Sequence, residues 1–367
     1  MKDTNSSSKL KIDFRTFFIL MLIGAIPMLV GTWWLFESYR DSDLELSGLN
    51  LSDTAETAFS MVNSYLQDQI IATAGLTEIP SLRSEVAKGN LDLKVKDLEE
   101  VRKSIPKMDA AWPKLERNSP AVKSILENQG SLFLRRMTQV NANYREIIVT
   151  DYLGRLVAST NRNTRYYRAL DDWWKETYGD GGRGAVYIGD VHYDAAAHSY
   201  LMDLAQPFME PEGGVIGVLK VVLDTQAINS MLGSIQAGSG TSVSLIHAKG
   251  TVISAPGYSV LQQTNFPATL EILNAREKKR RFFVSESMPG TIFGLTLRSF
   301  PQLYPHLNWI VFSTAKTKDM LGQLPEIRMY FMALLVGVFL LVLLATIMLS
   351  RVESKPIIEE DPHLERL

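Results

Sequence analysis

Two apolar runs without a single charge set the terms for the rest of the chain: Phe17 to Phe36, FFILMLIGAIPMLVGTWWLF, and Met329 to Ser350, MYFMALLVGVFLLVLLATIMLS. A helix rises 1.5 Å per residue, so about twenty such residues match a hydrocarbon core of roughly 30 Å. Both runs are expected to be transmembrane helices, at 17–36 and 329–350. A cleaved signal peptide would carry a shorter apolar region and a small-residue cleavage site. Here Trp33-Trp34 stands at that point, as an aromatic belt would. Lys2, Lys9, Lys11 and Arg15 precede the first run, and Arg351 and Lys355 follow the second. The bias of basic residues toward the cytoplasm then puts both termini, 1–16 and 351–367, inside, and residues 37–325 outside the membrane.

Composition narrows the function classes. A net charge of −2 supplies no basic field for nucleic acid. The chain has no cysteine, so it takes no position on redox compartment. No HExxH, GxSxG, kinase or cyclase signature occurs, and the tail after 350 is too short for a catalytic domain, so no enzyme and no cofactor are expected. The glycine-rich stretch Gly179 to Gly184 lacks the Lys-Ser/Thr of a phosphate loop. Asp190, His192 and Asp194 alternate as on one face of a strand, a trio whose usual fate is a polar sheet face; no metal is expected.

Between the spans, Leu44, Leu51, Ala55, Ala58, Val62, Leu66 and Ile70 recur at helical spacing, which predicts one long helix from Asp41 to about Ile79, stopped by Pro80. Residues 89–144 read as short helices broken by Pro106, Pro113 and Pro120, with Trp112 as a packing residue. Two apolar runs, with Ile147, Val149 and Leu156, flank Asp151-Tyr152-Leu153-Gly154, a hairpin turn. Strands follow at 184–188, 199–208 and 215–223, the last two joined by Glu210-Pro211-Glu212-Gly213-Gly214. SVSLIHAKGTVISAP (242–256), then 281–299 and 308–314, echo the same order. The expectation is an α+β chain: a long N-terminal helix and two PAS-like antiparallel-sheet subdomains, about 88–224 and 240–317, between two transmembrane helices.

The aromatic loop YYRALDDWW (166–174), with YIGDVHYD (187–194) after it, is the candidate site. Tyr166, Asp171, Trp173, Trp174, Tyr193 and Asp194 would form an aromatic, acidic box. Packing by the tryptophans and an ion pair from Arg168 to the neighbouring aspartates are the alternative uses of the same residues. If Trp173 belongs to the pocket, replacing it by alanine weakens binding with little loss of folding.

These features together, REIIVTDYLGRLVAST, YYRALDDWW, YIGDVHYD, AQPF and GGVIGVLKVVLD between two spans, resemble the double Cache sensor domains of bacterial transmembrane receptors. The resemblance covers about Asp41 to Thr317. It implies a receptor for a small ligand such as an amino acid, amine, purine or carboxylate, a homodimer formed along the long helix, and a cytoplasmic signalling partner. One subset of the family binds amino acids through aromatics matched here by Tyr166, Trp173, Trp174 and Tyr193. Its arginine position is Asp171 and its last-strand aspartate position is Val222. An α-carboxylate wants a guanidinium fork, so the implied ligand is cationic or neutral and polar, held by cation–π contact. Lys355-Pro356-Ile357 looks like the opening of a HAMP linker. The rival expectation is a membrane-anchored accessory subunit that binds a protein, with Glu210-Pro211-Glu212 as a rim.

Overall fold

A computed structural model describes residues 14–352 apart from 96, 163–164, 236–239 and 321–323. The basic residues at 2, 9 and 11 and the HAMP-like stretch at 355–357 lie outside the described residues. Two compact units are present, Met1–Ser47 with Lys318–Leu367, and Gly48–Thr317. In the first, the early part of helix α1 (Phe14–Thr77) meets α10 (Leu324–Val352): a Cβ at Gly24 would lie 2.9 Å from Val342, and Phe36 and Phe331 meet edge to face. Later residues of one helix thus meet earlier residues of the other, an antiparallel pair. Phe18, Ile23, Val30, Trp33 and Trp34 on α1, and Met332, Leu334, Leu341 and Met348 on α10, are exposed apolar side chains. Among the described residues no helix is long and apolar enough to cross a membrane.

The second unit begins on α1, whose Leu51, Ala55, Ala58, Val62 and Leu66 are all buried, as their spacing predicts. Pro80 opens the next helix, α2 (Pro80–Val95), at the position where a missing N–H costs nothing. Then come α3 (Leu98–Ala111), α4 (Pro120–Leu126) and α5 (Gln129–Val140). Pro106 does not break the chain but sits inside α3, whereas Pro120 starts α4 behind the N-cap Ser119. Trp112 is 1% exposed.

The first sheet holds β1 (Tyr144–Asp151), β2 (Leu156–Ser159), β3 (Tyr187–Ile188), β4 (His192–Asp194), β5 (Ser199–Met209) and β6 (Val215–Asp224), with α6 (Asp172–Tyr178) between β2 and β3. Its order is β2-β1-β6-β5-β3, with β4 also on β5 and every pairing antiparallel. The strand expected at 184–188 is only two residues long, because Gly184 has φ +75 and the preceding turn occupies it. After α7 (Gln226–Ser234), the second sheet holds β7 (Thr241–His247), β8 (Val252–Ser254), β9 (Phe282–Val284), β10 (Thr291–Leu295) and β11 (Trp309–Lys316), with α8 (Thr269–Glu277) after β8; α9 (Thr317–Met320) follows. Its order, β8-β7-β11-β10-β9, repeats that of the first sheet.

Period-two alternation divides each sheet into two faces. On the first sheet Ile147, Val149, Leu204, Leu219 and Val221 join Val62 and Leu66 of α1, Val86 of α2 and Leu134 of α5 in one core, which continues through Leu245 and Val311 of the second sheet. Each such side chain contributes about 1.5–3 kcal/mol on burial. The second sheet is tied to α1 by Ser52 Oγ donating to the Leu295 carbonyl (2.8 Å) and Ser313 Oγ to that of Leu51 (2.6 Å). Gly294 permits that closeness, since a Cβ there would meet the Leu51 backbone at 2.2 Å. The first sheet holds α1 further along, where Gln206 Nε2 donates to the Ile70 carbonyl at 3.0 Å.

Candidate ligand-binding site

The opposite face of the first sheet changes character along its length. At one end Ile148, Ala205 and Val218 pack beneath Trp112, Trp173 and Trp174. In the same row as Ile148 and Ala205 stands Lys220, and in the next row of this face Val222 stands between Glu146 and Asp203. The tryptophans of α6 cover the apolar end, and the charged end stays open as a cavity of about 340 Å³ whose wall includes Arg145, Glu146, Arg168, Asp194, Asp203 and Lys220.

Each cation in this wall is held by a carboxylate. Lys220 Nζ lies 2.8 Å from Asp203 Oδ2, Arg168 Nη2 2.8 Å from Asp171 Oδ2, and Arg145 Nε donates to Asp224 Oδ2 at 2.8 Å. The pairing is incomplete: Asp203 Oδ1 and Arg168 Nε are buried with no hydrogen-bond partner. A buried polar atom left in that state costs about 1–3 kcal/mol. Two residues of the cavity wall thus each keep a polar atom without a hydrogen-bond partner. Burial pushes the Glu146 carboxyl above its ordinary range, opposed by Lys220 and Arg168. Burial also lowers Arg168, against the pull of Asp171.

The six residues of the expected box are not gathered around this cavity. Asp194 lines it, and its carboxylate accepts from the Ala196 and Ala197 N–H groups at 2.7 and 2.9 Å, shaping the β4–β5 turn. Trp173 and Trp174 are core, 5% and 7% exposed. The Trp173 indole donates to Asp171 (3.0 Å), and its ring already carries two cations of the protein, Arg168 at 5.6 Å and Lys220 at 5.1 Å. Trp174 donates to Thr150 Oγ1 (2.9 Å), stacks on Tyr178, and borders a separate depression with Tyr152 and Tyr167. Tyr166 packs beside Trp112 with ring centroids 5.7 Å apart. Tyr193 is half exposed against Tyr200. Asp171 is taken up by Arg165 and Arg168. Of the aromatic rings expected in the box, that of Trp173 thus already carries the protein's own cations.

Arg168 holds the loop, as its neighbours in sequence suggest, and also lines the cavity. Arg145, Glu146, Asp203 and Lys220 escaped the sequence reading. Their signal was a charge inside an otherwise apolar strand, Lys220 in VIGVLKVVLD and Asp203 in SYLMDLAQPFM, where burial demands a partner. Asp190, His192 and Asp194 do not converge: Asp190 accepts from the Trp309 indole at 2.7 Å, and among the described residues no cluster could hold a metal ion.

No family model matches the sequence, and no curated protein matches it. Solved structures do align. The ligand-binding domain of the Campylobacter jejuni chemoreceptor Tlp3 in complex with L-norvaline is 13% identical, with 76% of this chain and 94% of that one covered at a TM-score of 0.49. The same domain with isoleucine bound is 14% identical, with 77% and 97% covered at 0.49. That of the Pseudomonas fluorescens chemoreceptor CtaA in complex with L-isoleucine is 13% identical, with 78% and 98% covered at 0.41. This chain is similar to these chemoreceptor sensory domains over most of their length.

Proposed function

We propose that the chain is a membrane receptor that senses a small polar molecule in the cavity of the first sheet. The observation that carries this reading is the pair of buried, unpartnered atoms in its wall, Arg168 Nε and Asp203 Oδ1. A ligand that presents an acceptor to the guanidinium and a donor to the carboxylate satisfies both. The wall sets Arg145, Arg168 and Lys220 beside Glu146, Asp194 and Asp203, so the favoured ligand carries an accepting group as well as a donor; the amino acids bound by the aligned chemoreceptor domains are of this kind. In this reading 17–36 and 329–350 cross the bilayer, 37–325 lies outside, two copies pair along α1, and a cytoplasmic partner or a following output segment reads the change. The exposed apolar side chains of α1 and α10 support the membrane part. Binding biases signalling only by its difference in affinity for the two states.

A thermal-shift screen of the detergent-solubilised full chain against amino acids, amines and carboxylates tests the reading. A compound present at a hundred times its Kd should stabilise by about 2.7 kcal/mol, and Arg168→Gln and Asp203→Asn should each remove the effect. Stabilisation that survives both substitutions would put the ligand elsewhere. A panel with no effect at all returns the chain to the rival reading, a subunit that binds protein. Protease treatment of spheroplasts tests the topology: cleavage within 37–325 is expected, and protection of that segment overturns it.

A further inference from the structure

Where the first sheet meets the loops and strands of the second, the first supplies carboxylates and the second supplies rings. Asp190, between β3 and β4, accepts from the Trp309 indole at the start of β11 (2.7 Å) and from the Val191 N–H (2.8 Å), and its Oδ2 lies 3.6 Å from His247 Nε2. The other His247 nitrogen, Nδ1, accepts from the Lys249 N–H at 3.0 Å, which only an unprotonated nitrogen can do. That contact therefore stands with a neutral imidazole. Glu176 of α6 meets the second histidine of the seam: His306 Nε2, in the loop before β11, lies 2.5 Å from Glu176 Oε2, and the His306 ring leans on Tyr187 of β3 with centroids 5.1 Å apart. Both His306 and Glu176 are half-exposed, so protons exchange freely with them. Burial, with the carboxylates of Asp203, Glu176, Asp172 and Asp190, pushes the Tyr187 hydroxyl up to about 12, so the phenol stays neutral. Lys175, the cation beside Glu176 on α6, is turned to Asp172 at 3.5 Å.

We propose that Glu176 and His306 form an acid-tightened latch across this seam, holding α6 to the loop before β11 when the imidazole is protonated and loosening when it is neutral. Imidazole is the side chain whose charge changes between pH 5 and 8. Neutral, it offers Glu176 one ordinary hydrogen bond or, in the other tautomer, an opposing lone pair; protonated, it makes a charge-assisted bond about twice as strong. The bond from Trp309 to Asp190 is indifferent to that proton, so the seam has one fixed tie and one titrating tie. What the latch holds is the helix whose Trp173 and Trp174 cover the apolar end of the first sheet. In the topology proposed above, the pH it reads is that of the outside. The latch itself rests neither on that topology nor on a ligand in the cavity.

A double-mutant cycle of Glu176→Gln and His306→Gln on the full chain in detergent, run at pH 5.5 and pH 8, tests the latch. Both side chains are half-exposed and both replacements are polar, so the variants should fold. At pH 5.5 each single change should lower Tm by about 1–3 °C, the shift that an exposed ion pair gives a unit of this size, and the double variant should lose no more than one of them. At pH 8 that coupling should fall to about half or less. Hydrogen exchange of amides 173–179, corrected for the intrinsic effect of pH, should be slower at pH 5.5 than at pH 8 in the parent and equal at the two in Glu176→Gln. Coupling of one size at both pH values, or exchange in α6 that is indifferent to Glu176, overturns the latch. The cost of His247→Gln should be the same at both; if that cost alone moves with pH, the titrating tie is the one at Asp190 and the proposal fails. None of these measurements uses a ligand, so the latch and the ligand reading can fail separately.

Discussion

Across three neighbouring strands the first sheet sets Glu146, Val222 and Asp203, while the corresponding strands of the second set Ser244, Phe312 and Leu295. Strand order is the same in both. What differs is how the face is closed. In the second sheet Phe312 packs 5.2 Å from Phe266 and 5.5 Å from Phe293, Phe283 stacks on Phe293 at 4.9 Å, and Ile272 and Ala275 of α8 close over them. In the first, α6 covers only the apolar end with its two tryptophans, and charges hold the other end open. A shared topology therefore does not make a binding site; large side chains fill the face in one copy, and paired charges that cannot collapse into each other keep it hollow in the other. Among the described residues, Asp203 and Arg168 of the hollow face each keep a buried polar atom without a hydrogen-bond partner.

The largest effects should come from treating the two faces alike. Phe312→Ala empties a fully packed core and should cost about 3–5 kcal/mol in urea unfolding, whereas Val222→Ala, which enlarges an existing cavity, should cost well under half of that. Equal costs would mean that the first face is packed after all. Trp173→Ala belongs with the phenylalanine: its burial now predicts a loss of about 3 kcal/mol or more, the reverse of what a pocket tryptophan would show. A variant that keeps full stability and loses only ligand response would return Trp173 to the site.

Next in size is the pair at the cavity floor. Asp203→Asn keeps the shape and removes the charge that faces Lys220, leaving an ammonium without its counter-ion; about 1–3 kcal/mol should be lost. The companion change Lys220→Met should recover part of that in the double variant, because a charge removed with its partner strands nothing. Strict additivity of the two losses would show that the pair is not coupled.

Much of this was written in the sequence, and the part that was not has a physical reason. The face of α1 was legible from spacing alone, since each of Leu51, Ala55, Ala58, Val62 and Leu66 must turn the same way on a helix. The hairpin at Asp151 was legible too: its carboxylate accepts from the Leu153 and Arg155 N–H groups at 3.0 and 2.9 Å, and Gly154 takes φ +80 where a Cβ would strike Ala169 at 2.6 Å. The site was less legible because it is made by register between strands far apart in the chain. Glu146, Lys220 and Asp203 come together only after β1, β6 and β5 pair, and no local pattern encodes that pairing. The aromatic loop drew attention through composition, yet its tryptophans had to cover the apolar rows left by Ile148 and Val218.

The smallest expected effect separates the faces by pH, since the packed face carries no titratable group among its core side chains and the hollow one carries Glu146. Burial holds the Glu146 carboxyl above its ordinary value of 4.5, against Lys220 and Arg168, so the folded protein binds this proton more tightly than the unfolded chain does. That contribution is fully present below pH 4.5 and is lost as pH rises through the folded value. Asp224 acts in the opposite sense: burial alone would raise it, but the Gln226 N–H and Arg145 hold it below 3.8, so its contribution is present above that pH and fades on acidification. Comparing Glu146→Gln with the parent from pH 4 to 7 isolates the first group. The variant should gain stability relative to the parent as pH rises, and Phe312→Ala should show a constant offset over the same range. A Glu146→Gln difference that is flat with pH would mean that its carboxyl is as well solvated folded as unfolded, and that the cavity is wetter and less enclosed than its geometry implies.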